Sequence, residues 1–531
     1  MSAPVATELR LARAPARSGL LVATSLAVVA VLILPLIFLF VEAAGSGAAN
    51  AVHLMWRALT VSLLWNTVRL TIVVTLLCAV IGTLAAYGVE RTNLPGRRIW
   101  AVLVVVPLAI PDFVVSFGWS SLWTWVQGFQ GAVLVMTLAV YPLVYLTVAA
   151  SLRGADPGQE EIARSLGVGK LSTFLRVTLG QARRAILGGC LLVALVILAE
   201  YGAFEILGYQ TFTTEIYTEF STGFNVASAC ALSVVLVVVS LVVLLGESSA
   251  RGGGRGSRLG PGVQRTMPLR PLGRATLPVL LAYGLLVAAA LGVPVGAAVY
   301  WMVGGVPAAF TGVSLASAAL HTAGYSAAAA LLATVMAAPV ALLVARHPGR
   351  FHQWLERCTF LVLAMPGLVV ALAMAYFSER YVNGFAYQTW PMLVLVYAIM
   401  FFPLALVGVR ASVLQAPIAL EEAASSLGVR RLDVFFRVTL PLIAPGLGAA
   451  FCLVFLSAAT ELTATLILIP TGSQTLATQF WAYQKYLSYS QAAPFALTII
   501  AIAAVPSYLL GRFYDRLPAR RGVALVPSLV T

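Results

Sequence analysis

The sequence predicts an all-α integral membrane protein of about twelve transmembrane helices, arranged as two parallel homologous six-helix halves. Three observations carry this expectation. The chain of 531 residues is 60% hydrophobic and 10% charged, whereas soluble chains are about 25% charged. Its apolar runs are long enough to cross a bilayer. Residues 160–179 also recur at 421–440, identical at thirteen of twenty positions without a gap.

In the first half the apolar runs lie near 20–41, 61–89, 100–125, 131–151, 186–208 and 227–246. In the second they lie near 276–303, 315–345, 357–378, 390–411, 446–469 and 492–511. Arg10, Arg13 and Arg17 before Leu20–Val41 give the first run the outline of a signal peptide. A secretory h-region is only about 7–15 residues, so an uncleaved first span is expected. With the N-terminus in the cytoplasm, only Arg57, Arg69, Arg380 and Lys485 of the 33 Lys and Arg residues fall outside. That asymmetry satisfies the positive-inside rule and places both termini in the cytoplasm. The segment 247–275 is basic and rich in Gly, Ser and Arg, as suits a flexible cytoplasmic linker. It divides a first domain, 1–246, from a second, 276–531.

The net charge of +14 therefore serves orientation and anionic lipid, not nucleic acid. Cys78, Cys190, Cys230, Cys358 and Cys452 lie in or beside apolar runs and form no C-x-x-C. They read as small core residues. His53, His321, His347 and His352 are scattered, which argues against a Cys/His metal site.

The 261-residue offset that aligns the repeat also pairs Pro142 with Pro403 and Glu200 with Glu461. Upstream an offset of 255 pairs Arg91 with Arg346 and Pro111 with Pro366. Both copies fall between the fourth and fifth spans of their half, on the cytoplasmic side, so the repeat is parallel. Glu160-Glu161 opens a short helix, where the dipole favours acids, and Gly167 supplies the positive φ that ends it. Gly428 does the same after Glu421-Glu422. A second amphipathic helix with Phe174, Val177 and Leu179 on one side follows. A loop retained in both halves points to binding.

Glu161-Ile-Ala163-x-x-x-Gly167 and Glu422-Ala-Ala424-x-x-x-Gly428 resemble the EAA loop of ABC-importer permeases of the binding-protein-dependent class. The second copy continues to Thr439-Leu440-Pro441 as that family does; the first ends Thr178-Leu179-Gly180, a departure expected to soften the kink before its fifth span. The resemblance covers nearly the whole chain and implies a type I ABC importer permease fold. It also implies that Glu161, Ala163, Gly167, Glu422, Ala424 and Gly428 form loops docking two copies of a cytoplasmic ABC ATPase. An extracytoplasmic solute-binding protein would deliver the solute, and the chain would sit in a bacterial cytoplasmic (inner) membrane. The fused layout, with Leu198–Ala203, Ala459–Thr465, Thr211–Tyr217 and Thr475–Trp481, resembles the ferric-iron (Fbp-like) branch. Thiamine permeases share the layout, and phosphonate or polyamine remain further alternatives.

Gly167-Val168-Gly169-Lys170 is not a phosphate loop, because Leu171 stands where Ser or Thr is required. The chain is thus expected to bind no cofactor and to have no ATPase motif, ATP being used by the partner subunits. Glu200 and Glu461 fall well inside their expected spans, where an acid costs about 2.5–3.5 kcal/mol and usually faces a partner or an aqueous path. They are candidate pathway residues, as is Asp112. Helix packing or a gate, with the carboxyls bonded to Thr460, Thr463, Thr465 or backbone, is the alternative. Glu205, Glu215 and Glu219 on the outer side would contact a binding protein or form a solvated rim. An ion-coupled secondary transporter also fits twelve spans in parallel halves, but has no use for the paired loop.

Overall fold

The computed structural model describes residues 19–45, 57–155, 157–223, 226–250, 269–304, 312–346 and 349–516. Arg10, Arg13, Arg17, His53, His347, most of the expected linker and the terminal Arg520 and Arg521 lie outside the described residues. Among those described, ten helices are long and apolar enough to span a membrane. Two bent pairs raise the number to as many as twelve, so this is a multi-pass helical membrane protein.

The first half runs through α1 (Gly19–Gly45), α2 (Ala58–Arg91), α3 (Arg97–Leu103), α4 (Asp112–Ser120), α5 (Gly128–Arg153) and α6 (Pro157–Ser165). It continues through α7 (Lys170–Thr173), α8 (Leu179–Ala199), α9 (Gly202–Ile206), α10 (Phe212–Ser221) and α11 (Val226–Ala250). The second half repeats the plan. It comprises α12 (Thr276–Val287), α13 (Val293–Gly304), α14 (Gly312–Arg346), α15 (Arg350–Phe360), α16 (Gly367–Tyr381) and α17 (Trp390–Gln415), then α18 (Ile418–Ser426), α19 (Arg431–Val434), α20 (Leu440–Ala459), α21 (Thr463–Leu468), α22 (Leu476–Lys485) and α23 (Tyr489–Arg516). A π-helical turn, Ala288–Gly292, joins α12 to α13.

The third span of each half is bent rather than straight, by 92° before α4 and 99° before α16. Both bends fall at the paired prolines. Ile110 and Met365 are extended, as a residue preceding proline prefers, and Pro111 and Pro366 then cap the following helix. The fifth and eleventh spans also differ from expectation. Each begins farther upstream, because a π-helical turn (Phe174–Thr178 or Phe435–Thr439) joins the loop helix to the span. Each ends earlier, at Ala199 or Ala459. Glu200 and Glu461 therefore stand at a helix break and not inside a continuous helix. Gly180 in place of proline leaves this plan unchanged, since Pro441 occupies the first turn of its helix, where its missing N–H is harmless.

Within each half three long helices pack together, α2 with α5 and α8, and α14 with α17 and α20. The first helices cross over. α1 packs on α14, α15 and α16 of the second half, and α13 packs on α4 of the first. The two buried apolar cores are mixed accordingly. Val29 and Leu32 join the core built mainly by the second half, while Tyr283, Ala298 and Phe495 join the other. Without a hydrophobic drive in lipid, such helices associate by close packing at small residues. At Gly118 of α4, an added Cβ would come within 2.5 Å of the Pro294 Cα.

Gly118→Val is expected to overpack this crossing by about 1–3 kcal/mol and lower the melting midpoint of the purified protein. Gly284→Val, where an added Cβ meets nothing within 4 Å, is expected to leave that midpoint unchanged.

Candidate coupling loops and interfacial gate

The two repeated loops fold alike. α6 ends in a Schellman motif: Gly167 at φ +78° donates its N–H to Arg164 O at 2.9 Å, and Val168 donates to Ala163 O at 3.0 Å. In the second half Gly428, at φ +82°, donates to Ser425 O at 3.1 Å, and Val429 to Ala424 O at 3.3 Å. This motif satisfies the last carbonyls of a helix and needs a residue that tolerates the left-handed region. An added Cβ at either glycine meets nothing within 4 Å, so backbone conformation and not space requires glycine.

Ala163 is buried and Ala424 half-buried, while Glu161 and Glu422 are exposed. Leu166 and Leu427, the residues just before the glycines, are 76% and 83% exposed. Ile162, Ile418, Leu420 and Leu432 add to this uncovered apolar surface.

The neighbouring acids carry the anchoring, which sequence reasoning missed. Glu160 is buried; its Oε1 accepts from Thr178 Oγ1 at 2.8 Å and its Oε2 pairs with Arg270 Nη2 at 2.5 Å. Glu421 Oε1 pairs with Arg346 Nη2 at 2.7 Å. The signal was present: the 261 offset that aligned the loops also paired Glu160 with Glu421, and the upstream offset of 255 paired Arg91 with Arg346.

At the opposite end of α8 and α20 the chain breaks around the two intramembrane acids. Glu200 Oε1 accepts from the Ala203 N–H at 2.7 Å, and Glu461 Oε1 accepts from the Ala464 N–H at 3.0 Å. Each carboxylate thus caps the short helix that follows it. Backbone carbonyls at the break are also bonded, Glu200 O by Thr213 Oγ1 at 2.5 Å and Glu461 O by Thr465 Oγ1 at 2.8 Å. Of the two kinds of partner expected from sequence, threonine hydroxyl or backbone group, the carboxylates take the backbone amide. Glu200 lies within electrostatic reach of both Asp112 and Glu461, so the structure gathers all three predicted acids at the interface of the halves. All three keep some solvent access. Asp112 sits in the first turn of α4, and its repeat position is Gly367, where an added Cβ would come within 3.6 Å of Glu461 Oε1. The crevice beside Glu461, lined by Thr322, Tyr325, Ser326, Tyr397 and Thr475, has no room for a water molecule.

Beyond the acids, away from the loops, aromatic rings of both halves interlock. Phe113 and Phe117 pack on Phe480 at centroid distances of 5.3 and 5.4 Å, and Tyr201 packs on Trp481 at 5.6 Å. Phe480 and Trp481 are carried by α22, which opens with a reciprocal Thr475–Thr478 capping box. α10 opens with a similar Thr211–Thr214 box and carries Tyr217, 4.6 Å from Tyr201. Gly202 permits this closeness, since an added Cβ would come within 2.8 Å of Leu462 Cδ2. Glu205 is exposed and Glu215 and Glu219 half-buried at this end. No group of three His, Cys, Asp or Glu able to hold a metal ion occurs among the described residues.

Gly167→Ala and Gly428→Ala are each expected to cost about 1–2 kcal/mol through the left-handed backbone. Hydrogen exchange should quicken in the substituted loop and stay unchanged in the other. Glu200→Ala is expected to cost about 0.5–2 kcal/mol through the lost cap, read as a lower melting midpoint. Glu200→Gln, which keeps the acceptor oxygen, should recover most of the loss.

The model of the family of binding-protein-dependent transport system inner membrane components matches the chain twice, at residues 78–247 and 330–523. The Fe(3+)-transport system permease protein FbpB 2 of Haemophilus influenzae is 35% identical over 486 residues, 91% of this chain and 96% of that protein. The putative ferric transport system permease protein FbpB 1 of the same organism is 23% identical over 83% of this chain and 76% of its own length. The molybdenum transport system permease protein ModB of Escherichia coli is 29% identical, but 95% of it is matched by only 36% of this chain. With two family matches, a helical membrane fold and paired loops of one geometry, the chain belongs to the binding-protein-dependent transport system inner membrane components, in a form that carries two such units.

Proposed function

We propose that this chain is the complete transmembrane pathway of an ATP-driven importer for ferric iron, with both ABC-permease halves in one polypeptide. The observation that carries the reading is the continuity of each loop with its gate. The exposed helix, the π-helical turn and the long span (α8 or α20) follow one another without a break in helical structure beyond the glycine turn. The span of about 20 residues reaches some 30 Å and ends on the carboxylate cap at the interface of the halves. A push on Leu166 or Leu427 is thus delivered to Glu200 or Glu461. Uncovered apolar side chains at both loop tips suit the pocket of a partner, and two tips suit two copies of a cytoplasmic ATPase.

In this reading the loops face the cytoplasm, the aromatic layer faces outward, and both termini lie on the cytoplasmic side of a bacterial inner membrane. A binding protein would deliver the solute above Phe113, Tyr201, Phe480 and Trp481. ATP is bound and hydrolysed by the partner subunits. Ferric iron is supported by the relative that spans nearly the full chain. Its preference for oxygen ligands agrees with Asp112, Glu200 and Glu461 as passing contacts along the path.

Leu166→Asp combined with Leu427→Asp is expected to weaken ATPase co-purification by about tenfold or more and to stop uptake, with the melting midpoint unchanged. Normal uptake and co-purification in that variant would overturn the coupling assignment. Combining Glu200→Gln with Glu461→Gln should lower ferric uptake in reconstituted vesicles; wild-type rates would leave these acids a packing role alone.

A further inference from the structure

The two loops are related by the repeat, yet they are not anchored by equivalent cations. In the second half the anchor is Arg346, the last residue of α14. Its Nη2 donates to Glu421 Oε1 at 2.7 Å and to Ala416 O at 3.1 Å. The equivalent residue in the first half is Arg91, the last residue of α2. Arg91 is buried and within electrostatic reach of Glu160, but its Nε and Nη2 have no hydrogen-bond partner among the described residues. The close pair with Glu160 is made instead by Arg270, from the segment that joins the two halves, at 2.5 Å. Arg164, one turn on in the same loop helix and half exposed, lies at 3.7 Å from the same oxygen and cannot tie the loop to the body.

That segment is fastened to the first half by its backbone as well. Arg270 N–H donates to Arg91 O at 2.9 Å, Asn93 N–H donates to Arg270 O at 3.0 Å, and Leu272 N–H donates to Asn93 Oδ1 at 2.9 Å. Arg270 Nη1 donates to Tyr87 OH at 2.7 Å, and the Tyr87 ring meets Phe174 of the loop's π-helical turn at 4.8 Å. Glu160 is only 2% exposed, and a buried carboxylate depends on its cation, since an unpaired buried charge is strongly destabilising.

We infer that Arg270 is a positioning residue for the first loop alone, so that the connection between the halves sets the seating of one ATPase-facing helix while the other is set within its own half. The inference uses the proposed function only to name what the loop faces; the seating itself is readable without any partner.

Hydrogen exchange on the full chain in lipid nanodiscs tests it directly. Arg270→Gln keeps the backbone ties and is expected to quicken exchange in residues 157–169 by about tenfold or more, the scale of a lost charge-assisted hydrogen bond, leaving 418–429 unchanged. Arg346→Gln should do the reverse, and Arg270→Lys should retain most of the protection. An unchanged first loop, with Arg91 taking over the carboxylate, would overturn the assignment, as would equal loosening of both loops. In the assembled transporter, Arg270→Gln should lower uptake per ATP hydrolysed. Loss of that effect alone, with the exchange pattern intact, would count against the importer reading and not against the seating.

Discussion

Glu200 and Glu461 each turn a carboxylate oxygen back onto the amide three residues ahead, at 2.7 and 3.0 Å. The rest of the interface depends on those two bonds. In hydrocarbon an unsatisfied backbone group costs several kcal/mol, so a helix can be interrupted only where its freed groups find partners. An acid that caps the next helix supplies one partner, and the threonine hydroxyls of Thr213 and Thr465 cover the carbonyls of the same residues. The same interruption lets the chain turn and present Tyr201 and Leu462 to the other half. One side chain thus resolves the backbone penalty of the break and stays partly open to solvent beside it.

The paired prolines act on the same region from the other side. Pro111 and Pro366 bend the third span of each half by about a right angle, placing Asp112 or Gly367 against the broken end of α8 or α20. The symmetric element there is the backbone break, because Gly367 carries no acid. Asp112 therefore makes the first half's side of the interface more acidic than the second's. The crossing of α1 and α13 to the opposite halves adds a further constraint. Each buried core contains residues from both halves, so the halves are interlocked bodies and not two bundles set side by side.

The loops show how much of a site is legible before folding is seen. The glycine turns, the short helices and their repetition followed from Gly167 and Gly428 with their flanking acids, since a left-handed cap is a local requirement. The breaks at Pro111 and Pro366 are local too, since proline restricts the residue before it to extended backbone. The roles within each acid pair did not follow. Glu161 and Glu422 match the family pattern and stand exposed, while Glu160 and Glu421 hold the loops to the body. A one-residue difference on a helix is a rotation of about 100°, and which neighbour turns inward depends on what lies beneath.

Hydropathy, charge asymmetry and the repeat are properties of the chain in one dimension. The sequence by itself therefore determined the membrane class, the order of the apolar helices, the duplication and the loop that names the family. Only the tertiary structure decided that the fifth and eleventh spans stop at their acids, that the first helices cross between halves, and that Arg270 rather than Arg91 answers Glu160. The Arg270–Glu160 pair is separated by 110 residues. Its formation turns on a connecting segment folding back along Arg91–Asn93, and no spacing within either repeat encodes that return.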